Sequence, residues 1–310
     1  MERHDAVVDV AIVRDALRSK VGVEVAAAAR VVAAREVTEL VDELVAAFPR
    51  LVERGGERDP LCRGKIAIAR AMHALDRWHD DVFVSGVSLV QLEASFGAPG
   101  PPRGYEDTAA EVRAVCALAF AHAYRADALD VLADLLADPQ RMARVAAAQA
   151  LGDAGRLDAA ALLRFKLRLG DDEAEVLGAC VASLLVLAPR ASVPFVIGLL
   201  ARDDDRSTAA ALALGERRVT EAAPAMIDWC RALSPATRAR AGYVALALLR
   251  DDAANAYLLE RVVEGARADA IAAGKALATF REDPGVAAKL REAARAHPDR
   301  AVRDAITAML

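Results

Sequence analysis

The sequence predicts an all-α solenoid of about nine stacked helix pairs with one extended and looped interruption. Apolar residues make up 55% of the 310 positions but aromatics only 4%, with alanine and leucine dominant. Closely packed helices have this composition, because small side chains let helix axes approach. Residues that cap helix starts recur every 30–35 positions over most of the chain, the mark of an array of supersecondary units. Between the caps, apolar residues fall three and four apart, the helical period.

The first 58 residues read as an N-terminal helical cap with the first repeats. Ser19 is placed to cap the second helix. Residues 21–54 carry apolar residues on one side, among them Val37, Leu40, Val41, Leu44, Phe48 and Leu51, and predict two helices bent near Ala33 to Glu36. The polar residues there are mostly acidic, which disfavours an anionic membrane surface.

Residues 59–106 predict an irregular repeat. From Asp59, which precedes Pro60, to the next cap at Asp107 the spacing swells to 48 residues. A short helix is expected at about 80–86. Residues 87–96 alternate roughly with period two, and Val90, Leu92 and Phe96 are expected to be buried against the solenoid. Three glycines and three prolines then occupy the eight positions Gly97 to Gly104, where no helix survives. The resulting loop presents Arg103 and Tyr105. Together with Trp78 these are residue types enriched at binding hot spots, and loops on rigid scaffolds often carry function. The 97–105 loop is therefore also a candidate docking element.

Residues 107–310 predict regular repeats. The caps Asp107, Asp138, Asp171, Asp204, Ser234, Asp269 and Asp299 are separated by 31, 33, 33, 30, 35 and 30 residues. At Asp59-Pro60, Asp138-Pro139 and Ser234-Pro235, a side-chain oxygen accepts an orphan N–H and proline lacks the donor that would go unpaired. Within one unit, ALDVLADLLAD (128–138) places Leu129, Leu132, Leu135 and Leu136 on one face. RMARVAAAQALG (141–152) is the alanine-rich second helix. Gly152 and Gly215 are expected to be left-handed C-caps.

A cap acid, an arginine about six residues on, and a run of the AAxALG type resemble the short HEAT-like repeat, the class also found in phycobilin lyases. Asp138, Arg144 and Ala147 to Gly152 carry the resemblance, with Asp299 and Arg303 in part. Later units depart from it: Ser234 replaces the acid, and the Asp204 unit has its arginine early, at Arg206. DPLCRGKIAIARAM (59–72) and DTAAEVRAVCALAF (107–120) are similar to bacterial HEAT-repeat proteins without an assigned activity. The resemblance implies a right-handed α-solenoid and says almost nothing of function. It also implies that the arginine pairs with the cap acid of an adjacent unit, a structural ladder for Arg144 and Arg303. Second helices generally line the inner face of such arrays, which makes Arg144, Arg206 and Arg240 candidates for a partner-binding stripe.

Several chemistries are disfavoured. The net charge of −5 and the alternation of basic with acidic residues argue against nucleic acid, whose binding is mostly phosphate neutralisation. MERHDAVVDV lacks the apolar core of a signal peptide. The longest uncharged run, Val176 to Pro189, has 14 residues, against the roughly 20 that span a bilayer. A soluble cytoplasmic protein is expected, and the excess of arginine over lysine hints at a GC-rich bacterial genome. Cys62, Cys116, Cys180 and Cys230 stand 54, 64 and 50 residues apart and read as small buried hydrophobes. No phosphate loop, GxSxG elbow or HExxH helix is present. His73 and His79, six apart, share no helix face. Asp203 to Asp205, Glu173 and Glu175 read as helix-start acids.

No catalytic, cofactor-binding or metal-binding residue is expected. The function that fits is a non-enzymatic scaffold or adaptor binding a protein partner on its concave face and the 97–105 loop. Two alternatives rest on fold analogy. One is an enzyme subunit of the phycobilin-lyase type. The other is a DNA-binding protein like the HEAT-like alkylpurine DNA glycosylases, disfavoured by the acidic charge and by tryptophans only at Trp78 and Trp229.

Overall fold

A computed structural model of the chain describes residues 9–95, 104–123 and 125–310. Phe96 to Arg103, most of the expected docking loop, lie outside the described residues. Among the described residues the chain is a succession of α-helices with one small hairpin, and it divides into two compact units, 1–162 and 163–310. Each unit is built of α-helices packed side by side in two rows.

The N-terminal unit contains α1 (Val10–Leu17), α2 (Gly22–Ala34), α3 (Val41–Val52), α4 (Arg63–Ala74), α5 (Asp80–Val87), α6 (Ala110–Phe120), α7 (Ala128–Leu135) and α8 (Arg141–Asp153), and α9 (Ala159–Leu169) spans the division. Helices α2, α4, α6 and α8 pack side by side as one row, with α1, α3 and α5 forming another. The core lies between the rows: Leu17, Val25, Val32, Leu44, Phe48, Ile68, Met72 and Phe83 are fully or almost fully buried. The bend expected near Ala33 to Glu36 is present, since α2 ends at Ala34 and Glu36 takes a left-handed φ of 51°. Asp9 caps α1 through Ala11 N at 3.0 Å. Ser19 does not cap α2 as expected: its Oγ accepts from Val21 N at 3.0 Å, ahead of the helix, whose first turn has no side-chain cap.

In the irregular repeat, the described residues form more regular structure than the sequence suggests. Helix α5 forms as expected, but the extended stretch pairs with a second strand. Strands β1 (Leu92–Ser95) and β2 (Gly104–Asp107) are antiparallel, with Leu92 opposite Asp107 and Ala94 opposite Tyr105. The expected burial is overturned: Val90 is 60% and Leu92 63% exposed. Polar groups hold the hairpin instead. Phe96, the third residue of that expectation, lies outside the described residues.

The C-terminal unit contains α10 (Ala174–Leu187), α11 (Pro189–Leu199), α12 (Asp205–Glu216), α13 (Ala223–Ala232), α14 (Tyr243–Leu249), α15 (Asp252–Glu264), α16 (Arg267–Ala278), α17 (Pro284–Ala296) and α18 (Arg300–Thr307). Helices α10, α12, α14, α16 and α18 form one row, while α13, α15 and α17 pack as the other. Asp204 and Asp299 cap α12 and α18 as expected, and Asp251 and Asp283 add caps that fall outside the regular series. Asp269 is not a cap. It lies inside α16, where it accepts the hydroxyl of buried Tyr243 at 2.6 Å.

The glycine expectation also changes. Gly152 and Gly215 are helical, and the left-handed positions belong to Gly155 and Arg218. A Cβ on Gly215 would come within 2.4 Å of Ala245 O. This glycine therefore permits close approach of α12 and α14 rather than a turn.

Candidate functional site

A buried polar knot fixes the irregular repeat. Asp59 and Lys65 are both fully buried, with Lys65 Nζ 3.0 Å from Asp59 Oδ2 and 3.2 Å from Leu51 O. Asp59 also accepts Gly64 N at 2.7 Å and Lys65 N at 3.0 Å, satisfying two donors in the first turn of α4 from ahead of the helix. The intervening Leu61 and Cys62 adopt left-handed φ values of 58° and 54°. Such a conformation costs a non-glycine residue roughly 1–3 kcal/mol, so the knot on either side must impose it. Glycine makes the crossing fit: a Cβ on Gly22 would lie 2.1 Å from Asp59 Oδ1.

The hairpin docks onto this knot. Gln91, 8% exposed, donates through Nε2 to Asp59 O at 3.0 Å and to Glu93 Oε1 at 2.6 Å. Glu93 Oε1 also accepts Leu61 N at 2.8 Å and Thr108 Oγ1 at 2.7 Å. Burial raises the Glu93 pKa, but the hydrogen bonds from Gln91, Thr108 and Leu61 outweigh it and hold the carboxyl below the usual glutamate value.

On the other side, Arg113 is 3% exposed. Its guanidinium reaches Asp107 Oδ2 at 2.7 Å, Asp138 at 2.8 and 3.0 Å, and Leu89 O at 2.7 Å. Asp138 in turn accepts Gln140 N at 2.7 Å ahead of α8. One arginine thereby joins two successive cap acids and the chain entering the hairpin.

An acid-dependent loosening follows from Glu93. Its folded pKa lies below the unfolded value of about 4.3, so its ionised form stabilises the hairpin above that pH. The contribution is lost as pH falls through the folded value. Amide-exchange protection at Leu92–Ser95 and Gly104–Asp107 is expected to fall selectively as pH drops below the usual glutamate range, while that of α8 holds. Equal protection of hairpin and helix across that range would contradict it.

The residues singled out from sequence occupy separate surroundings. Half-buried Trp78 stacks on Phe83 at 4.9 Å between ring centroids, meets Phe120 edge-on at 5.0 Å, and donates to Asp80 Oδ1 at 2.7 Å. It belongs to a packed aromatic cluster, with the Arg125 guanidinium 5.8 Å from its ring. Tyr105 lies on β2 and is 74% exposed. Arg103 lies outside the described residues. Arg144 donates to Asp138 O at 2.9 Å and Pro139 O at 3.0 Å, and Arg303 to His297 O and Pro298 O, both at 2.8 Å. Arg206 forms a close pair with its own cap Asp204 and donates to Leu167 O and Arg168 O. Arg240 is exposed within a π-helical turn, Arg238–Gly242.

Sequence reasoning missed Asp59–Lys65 as a buried pair, Gln91, Glu93 and Arg113. Two left a signal. Lys65 shares a helical stripe with Ile68, Ala69 and Met72, and Arg113 shares one with Cys116, Ala117 and Phe120. A charge on a buried stripe must find a partner. The pairing of His73 with His122, ring centroids 6.3 Å apart, was also invisible, since it joins α4 to the turn that follows α6. Among the described residues no three His, Cys, Asp or Glu side chains gather as a metal site, and no helix is long and apolar enough to cross a membrane.

No protein-family model matches the chain, and no curated protein matches it. Among solved structures it is similar to human deoxyhypusine hydroxylase in complex with glycerol, at 17% identity and a TM-score of 0.34, over 88% of this chain and 96% of that one. It is also similar to the complex of CpcE and CpcF of phycocyanin lyase from Nostoc sp. PCC7120, at 15% identity and a TM-score of 0.34, over 100% of this chain and 98% of that one. Likeness at this level assigns neither protein's activity to this chain.

Proposed function

We propose that the chain is a non-enzymatic scaffold that binds a protein partner through the β1–β2 hairpin and the adjoining α2–α4–α6 row. The observation that carries this reading is the hairpin's inverted anchoring. Gln91 and Glu93 turn inward to the buried knot, while Val90, Leu92 and Tyr105 stand 60%, 63% and 74% exposed. Apolar groups grouped on an immobilised element, with no folding role to explain them, mark interaction surfaces. Leu92, Ala94 and Tyr105 share one face of the hairpin by register. Its outer edges lack a strand partner among the described residues, leaving main-chain groups available for strand addition.

Affinity capture from the native host tests the reading. The wild-type chain is expected to retain a stoichiometric protein partner, and the Leu92→Ser, Tyr105→Ser variant to lose at least about ten-fold of it, as truncation of two hot-spot side chains does. Absence of any stoichiometric partner under several conditions, or equal capture by the variant, would overturn it.

A further inference from the structure

On the exposed side of the same row, α4 sinks between its neighbours. Its outward stripe carries Arg63, Ile66 and Arg70 separated by alanines, and the small residues leave a groove of about 560 Å³. Arg30 of α2 stands on one wall and Glu111 of α6 on the other, while Leu61, 49% exposed, contributes an apolar side chain to its lining. The groove is built rather than incidental. Leu61 is held in its left-handed conformation by the Glu93 carboxylate on its N–H, so the hairpin anchor also positions a groove residue.

We infer that this groove docks an acidic, partly apolar peptide segment of a protein partner, which deepens the protein-binding reading and rests on it. Three guanidinium groups line the groove, and Arg30 and Arg63 have no hydrogen-bond or ion-pair partner among the described residues. Arg70 already holds a carboxylate, that of Glu111, at 2.5 Å, an intramolecular example of the contact an incoming acid would make. Arginine favours such recognition because its planar fork matches a carboxylate. Leu61 and Ile66 supply the apolar complement.

Competing occupants fit less well. A phosphate would use the free N–H groups at the start of α4, but Gly64 N and Lys65 N are donated to Asp59. A nucleic-acid strand needs a continuous basic track, whereas Glu111 stands in the wall and the chain carries a net charge of −5.

The test is selection of a displayed library of random twelve-residue peptides on the full-length protein, repeated on an Arg30→Gln, Arg63→Gln variant. Both side chains are exposed, so the variant folds as the wild type does, checked by circular dichroism. Enriched peptides are expected to combine Asp or Glu with apolar residues and to bind the variant at least ten-fold more weakly. Replacing their acids by Gln or Asn is expected to cause a similar loss. No enrichment, enrichment without acids, or binding indifferent to the two substitutions would each overturn the inference. Such a failure is separable from failure of the scaffold reading, because partner capture that survives Arg30→Gln, Arg63→Gln but not Leu92→Ser, Tyr105→Ser leaves that reading standing.

Discussion

Lys65→Met is expected to lower the stability of the N-terminal unit by about 3–5 kcal/mol, the cost of breaking a buried ion pair by removing one partner. Methionine replaces much of the aliphatic stem but leaves Asp59 fully buried without its counter-charge, and Leu51 O without its donor. The damage should centre on the α2–α4 crossing, where Gly22 passes against the Asp59 carboxylate. Asp59→Asn combined with Lys65→Met should be less harmful than Lys65→Met alone. The amide can still accept one of the N–H groups at the start of α4, and no isolated charge remains. Urea unfolding by circular dichroism, with amide exchange in α2 and α4 to localise the loss, measures both. A change below about 1 kcal/mol for the single variant would show that water or relaxation compensates Asp59.

Arg113→Met should be comparably severe, again about 3–5 kcal/mol, but its effect should appear at the hairpin. The substitution strands Asp107 and Asp138, whose side chains are 12% and 9% exposed, and removes the donor to Leu89 O. Arg113→Lys should recover only part of this loss, because a point charge cannot reach two carboxylates and a carbonyl with the geometry of the guanidinium fork. Amide exchange over residues 89–95 and 104–109 provides the readout, together with the start of α8, where Asp138 accepts Gln140 N. If exchange there is unchanged while global stability falls, Arg113 serves the core rather than the hairpin.

The parts of this fold that were legible from sequence are those whose chemistry is local. Asp138, Asp204 and Asp299 each accept an N–H two residues on, so their spacing marks real helix starts. Asp269 shares that spacing by coincidence. What holds it is a tyrosine hydroxyl 26 residues upstream, which no local pattern records. The alternation around Val90 and Leu92 identifies a strand but cannot say which face turns inward. That choice is made by Glu93 meeting Leu61, 32 residues away, and Thr108, 15 away. Of the residues proposed for binding, Tyr105 lies on the exposed face, whereas Trp78 is occupied by Phe83 and Phe120. A residue's type fits it for a hot spot, but its neighbours decide whether it is available.

The four cysteines give this chain a built-in clock. Cys62 and Cys116 lie in the N-terminal unit and Cys180 and Cys230 in the C-terminal one, all as buried free thiols. Burial pushes the Cys62 thiol up to about 11 and those of Cys180 and Cys230 to about 12, and raises Cys116 as well. At neutral pH the nucleophilic thiolate is therefore scarce while each segment stays closed. Alkylation by a soluble reagent then proceeds at the rate set by opening of the surrounding helices. Each unit reports its own fluctuations through its own two positions, without any introduced label.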